Sequence, residues 1–466
     1  MKSLGVGLLL ASMAITAFAQ NRLSIDAAVQ TALERNQSLL GALHDRDASR
    51  WGRLNAVTNF LPKVEISGGL TRIDPASERR ANAAVDFIKS AAGTLGIPKE
   101  ALSEIRPFAY RDTYAADITV VQPIYNGGAE LVGLSAANAL EDRSISALED
   151  TEQDVIARVK TSYYSVLKAN ELVALSRDAV ARTRRHLEVT TRRAGVGMRT
   201  RTDVMRWEVQ LASDEGTLIQ AENGLAGARL ALNEAMGVDL HSVYELEPPA
   251  MADSATGLIA GRADETLLAS LTTMPMESRV NAEMLAGHPS MRMMEANLRL
   301  AETGIDEAWV NFKPSVNLAF QYGWEKNNTL KLDGITPWAF ALQVRFPIFN
   351  GFGDYTRLQK AHAEYSRTES QVETFRRGMV LQATMAELNV RAAQKRIDIT
   401  RRAEKEAREV LDAVTLRYES GGASNVDVID VQTAYTSARA NAITALYDYH
   451  IASVQQARAM GSVRPN

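Results

Sequence analysis

The sequence has no cysteine among its 466 residues. This absence excludes disulfide bonds, thiolate metal sites, cysteine nucleophiles and acylation of an N-terminal cysteine. The six histidines are scattered without His-x-x-x-His or another ligand spacing, so no metal site is expected. No phosphate-binding loop or catalytic constellation is present either, and the sequence therefore indicates neither an enzyme nor a cofactor.

Strong charge and long apolar runs are also missing. The formal net charge is only −4, which argues against a nucleic-acid partner. Residues 1–19 combine a positive start at Lys2, a short apolar core and Ala-Phe-Ala ending at Ala19, the pattern of a secretory signal peptide. After them, no stretch approaches the ~18 apolar residues of a membrane-spanning helix. Export without a helical anchor predicts the periplasm, the medium or the outer membrane.

Aromatic residues make up only 6% of the chain, a composition that favours long helices over compact cores. Two segments without proline, about 129–193 and 354–418, predict helices on the order of 100 Å long. Coiled-coil spacing runs through both of them. Its members are Ile156, Val159, Tyr163, Val166, Asn170 and Val173 in the first helix, and Leu381, Met385, Leu388 and Ala392 in the second. A shorter helix is predicted from Ser24 as N-cap to about Phe60, because Pro62 prevents its continuation.

An internal repeat organises the whole chain. Gly197 and Gly421 correspond at an offset of 224 residues, and Asp203 and Asp427 correspond at the same offset. The sequence thus predicts a first repeat over 20–237, a linker over 238–285, a second repeat over 286–461 and a short tail over 462–466.

Each repeat also carries a pair of predicted strands. Apolar and polar residues alternate over about 62–72 and 113–123, and again over about 314–324 and 337–347. The length of the apolar rows, with aromatics at their ends, favours outer-membrane strands, and a soluble sheet is the alternative. The insert between the first two strands predicts a loop with helix at about 83–95 and 99–105. Pro-Ile-x-Asn-Gly follows each strand pair, at Pro123 and at Pro347.

These features together resemble the outer membrane efflux protein family of TolC-type channels. The resemblance rests on Leu-Ser-Ile-Asp-Ala-Ala-Val near the start, on the strand pairs that end in Pro-Ile-x-Asn-Gly, and on the glycine turns, which continue into Thr-x-x-Asp-Val in the first repeat and Ser-x-x-Asp-Val in the second. It covers nearly the whole chain. It implies a mainly α fold with a small membrane β-barrel portion. Three copies would give four strands each to one twelve-stranded barrel in outer-membrane lipid, and their helices would form a periplasmic tunnel.

The resemblance also implies where the periplasmic end of the tunnel would be gated. Acids matching Asp427 and Asp430 project into the tunnel in this family, and three copies would form a ring of carboxylates that favours cations. Tyr418 matches a latch tyrosine, with Thr202 and Asp203 matching its partners. The family's latch arginine is Ala423 here, so the latch is absent or replaced. Arg206 stands opposite Asp430 in the repeat, and attraction between the basic first turn and the acidic second turn is a further hypothesis.

The two turns themselves are the expected docking tips for a periplasmic adaptor protein. Their predicted members are Gly195, Gly197 and Thr200 in the first turn and Gly421, Gly422 and Ser424 in the second. The predicted function is a trimeric exit duct that works with such an adaptor and an inner-membrane pump. Two alternatives remain at this point: the outer component of a type I protein secretion system, and a periplasmic coiled-coil scaffold without a pore.

Overall fold

The computed structural model describes residues 22–94, 96, 98, 105–247, 281–330 and 337–464. The predicted signal peptide over 1–19 lies outside the described residues. So do residues 99–104 of the second helix predicted in the insert, 248–280 of the linker and 465–466 of the tail.

The described elements follow the order that the repeat predicts. In chain order they are β1 (Arg22–Leu23), α1 (Ile25–Arg35), α2 (Gln37–Thr58), β2 (Lys63–Arg72), α3 (Pro75–Ala91), β3 (Asp112–Asn126), α4 (Ala129–Gly195), α5 (Arg201–Met236), β4 (Glu245–Leu246), a 3-10 turn (Glu283–Leu285), α6 (Pro289–Val310), β5 (Ser315–Asn327), β6 (Trp338–Arg345), α7 (Gly353–Glu419) and α8 (Asn425–Ala459). Helices α4 and α7 have 67 residues each, which corresponds to roughly 100 Å at 1.5 Å per residue. Among the described helices, none combines the length and the apolar character needed to cross a membrane.

The chain divides into two compact units. The first contains residues 1–46, 144–294 and 373–466, and the second contains residues 47–143 and 295–372.

The second unit contains a four-stranded antiparallel sheet in the order β2-β3-β5-β6. Its register aligns Ile66 with Ile118, Ile118 with Tyr322 and Tyr322 with Trp338, so one apolar row crosses all four strands. All four side chains are exposed, from 40% for Ile118 to 76% for Ile66. The sheet therefore has a solvent-exposed apolar face within the single chain.

The insert between β2 and β3 folds around one amide. Asn82 on α3 donates to the Ala109 carbonyl and accepts from the N–H groups of Phe108 and Ala109. Helix α3 begins at Pro75, earlier than the predicted start near 83, because Asp74 caps its first turn through the Ala76 and Ser77 N–H groups.

The helix predicted from Ser24 to about Phe60 is wrong in one respect, because it breaks at Asn36 into α1 and α2. Ser24 caps α1 as predicted. The Asn36 side chain then accepts from the Ser38 and Leu39 N–H groups and donates to the Ala235 carbonyl at 2.9 Å. This bond spans 199 residues of sequence, so local periodicity could not indicate it.

The core of the first unit surrounds the predicted seam of α4. Ile156, Val159, Tyr163 and Val166 are at most 1% exposed and pack with residues of α1 and α5. The Tyr163 hydroxyl lies 2.7 Å from the Leu23 carbonyl, where β1 pairs in parallel with β4. Elements from the start and the end of the first repeat, α1, α5 and β1, therefore contact the middle of α4.

Candidate functional site at the two helical turns

Both predicted turns have the same backbone structure. Gly197 and Gly421 adopt positive φ angles of 78° and 85°, which favour glycine. In the first turn the Gly197 N–H donates to Ala194 and the Met198 N–H to Arg193. In the second turn the Gly421 N–H donates to Tyr418 and the Gly422 N–H to Arg417, which is the same pattern 224 residues later. The repeat therefore extends to individual hydrogen bonds.

A reciprocal cap starts the helix after each turn. Thr200 and Asp203 exchange side-chain and backbone hydrogen bonds at the start of α5, and Ser424 and Asp427 do so at the start of α8. The Asp427 carboxylate accepts the Ser424 N–H at 2.8 Å and the Ser424 hydroxyl at 2.8 Å. Hydrogen bonds from the Thr200 and Ser424 backbones lower the pKa of both carboxyl groups. Asp203 and Asp427 are thus held as ionised helix caps.

Asp430 differs from these two acids. Its side chain is exposed, as is that of Arg206, and within the described ranges neither forms a hydrogen bond or an ion pair. Thr202 is exposed as well. The charges expected to attract each other across the two turns are therefore not paired with each other within one chain.

Tyr418 points into the protein and not toward Thr202 or Asp203. It is only 3% exposed, and its hydroxyl donates to Asn425 Oδ1 at 2.6 Å. The same hydroxyl lies 3.4 Å from Thr190 Oγ1 on α4. Within one chain its hydroxyl partners are thus Asn425 and Thr190, and a latch contact with Thr202 or Asp203 stays a prediction.

Tyr418 belongs to an aromatic cluster behind both turns. Trp207 on α5 and Val428 on α8 are fully buried beside it. The His186 ring on α4 stacks on Trp207 with centroids 4.8 Å apart and planes at 11°, and it meets Tyr418 edge-on at 6.1 Å. Helices α4, α5, α7 and α8 all contribute to this cluster.

The electrostatics around His186 disfavour its charged form. Burial lowers the pKa of His186, the nearby cations Arg185 and Arg182 lower it further, and Glu419 opposes them. Arg199 of the first turn lies over the Tyr418 ring, with its Cζ atom 5.1 Å from the ring centre.

A polar contact continues the junction one turn further from the tips. Thr183 on α4 is fully buried, donates to Asp214 on α5 at 2.6 Å and accepts from Gln432 on α8 at 2.9 Å. The hydroxyl thereby connects three helices.

Sequence reasoning missed His186, Trp207, Asn425 and Thr190 as residues of this junction. The internal repeat contains a signal for His186 and Trp207. The residues 224 positions later are Val410 and Val431, so the histidine and the tryptophan are present in the first repeat only. A tryptophan and a histidine close to the first turn, with valines at both equivalent positions of the second repeat, indicate a feature that belongs to the first hairpin only.

The chain as a whole matches a known protein family. The family described as "Outer membrane efflux protein" matches residues 28–238 and 281–462, which is most of the chain and both repeats. The chain belongs to this family. Its predicted outer-membrane location is confirmed with it.

Individual relatives agree with the family match. Outer membrane protein TolC of Vibrio cholerae is 23% identical over 439 residues, which cover 93% of this chain and 89% of that protein. Protein CyaE of Bordetella pertussis is 26% identical over 328 residues, which cover 69% of this chain and 65% of that protein. The CmeC outer membrane channel of Campylobacter jejuni has a similar fold, with a TM-score of 0.75 at 15% identity, covering 94% of this chain and 85% of that one. The predicted mainly helical efflux-channel fold is confirmed.

No group of three or more His, Asp or Glu side chains that could hold a metal ion occurs within the described part of this efflux protein.

Proposed function

We propose that this protein is the exit duct of a tripartite efflux system. Three copies assemble into one channel that passively conducts solutes from an inner-membrane pump and a periplasmic adaptor to the exterior. The observation that carries the proposal is an apolar helix seam that one chain leaves exposed.

The exposed seam lies on α7. Leu381, Met385 and Leu388 are 63%, 51% and 37% exposed, although their spacing is that of a coiled-coil core. The equivalent type of seam on α4 is buried, with Val159 and Tyr163 at 0% exposure. The seam on α4 is thus covered by helices of its own chain, whereas the seam on α7 needs a helix from another chain to cover it.

A second exposed row lies on α5. Met205, Val209, Ile219 and Leu230 are between 42% and 72% exposed. The alternating spacing of three and four residues connects them through small or polar residues, which are Ala212, Gly216, Asn223 and Ala226. Two different exposed seams on one chain suit a closed ring of copies, because each copy then offers one seam to each neighbour.

The sheet supports the same assembly. Strands β2 and β6 each have one neighbour in the sheet, and so each leaves one edge for another chain. An open edge in lipid leaves unpaired backbone groups that cost several kcal/mol each. Strands pooled from three copies would close into a twelve-stranded barrel, whose lipid-facing surface includes the exposed apolar row from Ile66 to Trp338. This row also disfavours the soluble-sheet alternative, in which the apolar face would be covered.

The turns are the proposed periplasmic end of the channel. Val196 and Met198 in the first turn are 73% and 75% exposed, which suits the docking of an adaptor protein at the two tips. The exposed Asp430, repeated three times, is the proposed charged group of the aperture, with the capping residue Asp427 beside it.

The experiment is to purify the full chain in detergent and to test both assembly and conduction. We expect SDS-resistant trimers that dissociate on heating, and ion current through planar lipid bilayers. A protein recovered as a monomer in the periplasmic shock fluid, without ion current, would contradict the proposal and support the scaffold alternative.

Assembly through the two seams can be tested because the chain has no cysteine of its own. Val209→Cys combined with Val410→Cys places thiols on α5 and α7 at similar distances from their turns. A bifunctional thiol reagent should link this variant into trimers. The control Val180→Cys with Val410→Cys should not be linked into trimers, since Val180 lies near the first turn on α4 and is only 7% exposed within its own chain.

A further inference from the structure

We propose that His186, Trp207, Tyr418 and Asn425 form an aromatic lock that holds the two turns together in the closed channel, and that protonation of His186 releases it. The lock takes the place of the arginine latch that position 423 lacks. This inference rests on the proposed gating function of the turns and goes beyond it by naming what holds the gate and what opens it.

The cluster connects the two turns through all four helices that meet behind them. Trp207 lies seven residues into α5, and Tyr418 lies one residue before the end of α7, so their contact joins the helix that leaves the first turn to the helix that enters the second. Tyr418 also binds Asn425, the first residue of α8, and approaches Thr190 on α4. A movement of either turn relative to the other must therefore disturb this cluster.

The cluster is buried although it lies close to the exposed tips of the helical hairpins. Trp207 and Asn425 are 0% and 1% exposed, whereas Val196 and Met198 in the adjacent turn are mostly exposed. Burying a tryptophan and a tyrosine removes a large apolar surface from water and is among the strongest local contributions to packing. The cluster is therefore the place where the two hairpins are held most firmly near their tips.

The ring of His186 packs against two aromatic side chains. It is half-buried between Trp207 and Tyr418, and in the described ranges its nitrogens have no hydrogen-bond partner. The ring consequently packs as a neutral aromatic group whose nitrogens remain available to a proton. Histidine is the side chain whose charge changes within the range of periplasmic pH values.

Protonation would place a new cation among existing ones. Arg182 and Arg185 lie on the same helix as His186, and Arg199 covers the Tyr418 ring. Glu419 on α7 is the opposing charge, and it is exposed.

The cluster members from the other two helices, Trp207 on α5 and Val428 on α8, carry no charge. The acids at the start of α8 are exposed, and Asp427 is bound to Ser424. Stacking on Trp207 favours the imidazolium ring, but repulsion by the arginines and loss of hydration disfavour it in the packed state. The packed arrangement is therefore weakened in acid, and a bistable pair of turns would shift toward separation.

The test is single-channel recording of full-length trimers at about pH 7.5 and about pH 5.5, on either side of the ordinary histidine pKa. We expect the wild-type open probability to rise several-fold in acid, because the packed, closed arrangement disfavours the charged His186 ring. His186→Phe keeps an aromatic ring in the stack and should lose this acid response.

Two further variants separate the lock from general stability. Tyr418→Phe removes only the hydroxyl that binds Asn425, and it should raise the open probability at neutral pH while it keeps the acid response. The matched control is His450→Phe, because His450 is also half-buried and stacks on a tyrosine, Tyr164, at 4.9 Å. Tyr164 is 22 residues from His186 on α4, roughly 33 Å along the helix, so this variant should respond to acid as the wild type does.

Trp207 provides a readout that does not depend on conduction. Its fluorescence should fall in acid as the stacked imidazole is protonated, and the fall should be absent from His186→Phe. An acid response that is equal in wild type and His186→Phe, or absent from a conducting wild type, would overturn the lock and leave the channel intact. Absence of any current from wild-type trimers would overturn the channel as well.

Discussion

Gly461 lies against the His288 imidazole so closely that a Cβ atom on the glycine would be 2.7 Å from His288 Cδ2. The first repeat has the same arrangement, because a Cβ on Gly237 would be 2.6 Å from the Arg35 carbonyl oxygen, next to Asn36. Both glycines have positive φ angles, 66° and 69°. The glycine after α5 thus packs beside Asn36, which precedes α2, and the glycine after α8 packs against His288, which precedes α6.

Replacing these glycines by alanine should destabilise the protein. The left-handed backbone alone costs an alanine about 1–2 kcal/mol, and the close contact adds to this cost. Gly237→Ala should be the more damaging variant, since all its nearest atoms are backbone, whereas the two nearest atoms to a Cβ on Gly461 belong to the His288 ring. Thermal unfolding of the detergent-solubilised protein measures the effect. The control Gly224→Ala, where a Cβ would meet nothing within 4 Å, should be neutral or stabilising, and equal melting temperatures for all three variants would contradict the prediction.

Removing a helix cap should have similar effects at both turns. Thr200→Ala and Ser424→Ala each remove a capping hydroxyl, and each should cost about 1 kcal/mol of stability. Thr202→Ala is the control, because this threonine is exposed and lies outside the cap, and it should change stability by less than about 0.5 kcal/mol. Chemical denaturation followed by circular dichroism distinguishes the two classes. If Thr202→Ala were as damaging as Thr200→Ala, the capping account would be wrong.

His288 should make the second repeat sensitive to acid. Its Nδ1 accepts the Ser290 N–H at 3.2 Å, its Nε2 lies 3.0 Å from Arg458 Nη1, and burial lowers its pKa. A base whose folded-state pKa is lowered contributes stability that is fully present above the unfolded value of about 6.5 and is lost as pH falls toward the folded value. We therefore expect stability to decline as pH falls below about 6.5.

The control for His288 comes from the other repeat. Asn36 occupies the corresponding position there, and it caps α2 without a titratable group. His288→Asn should keep the cap and reduce the decline in acid, as measured by unfolding across this pH range. A decline of unchanged size in His288→Asn would assign the acid sensitivity to other groups, such as His186 and His450, whose pKa values burial also lowers.

Asp430 should control ion preference. Asp430→Asn preserves the shape of the exposed side chain and removes three negative charges from the proposed trimer, so the preference for cations over anions should fall. Reversal potentials in a salt gradient measure this preference. Arg206→Ala should change it in the opposite direction, and unchanged values for both variants would remove Asp430 and Arg206 from the aperture.

Much of this architecture follows from the sequence alone. The 224-residue repeat, the long helices and the alternating strands are local periodic patterns, and the glycine turns have the residue types that their φ angles require. The helix caps are equally local, because Ser24 caps α1 as predicted and Thr200 and Asp203 are only three residues apart. Such features depend on neighbours along the chain.

Tertiary structure alone decided the remaining features. The break at Asn36 depends on Ala235, the inward orientation of Tyr418 depends on Asn425 and Thr190, and His186 acquires its partner only when α4 meets α5. Apolar spacing predicted seams on both α4 and α7, but it could not tell which one the chain buries for itself. The physical reason is that burial depends on which surfaces meet in three dimensions, whereas periodicity records only that a surface must be covered.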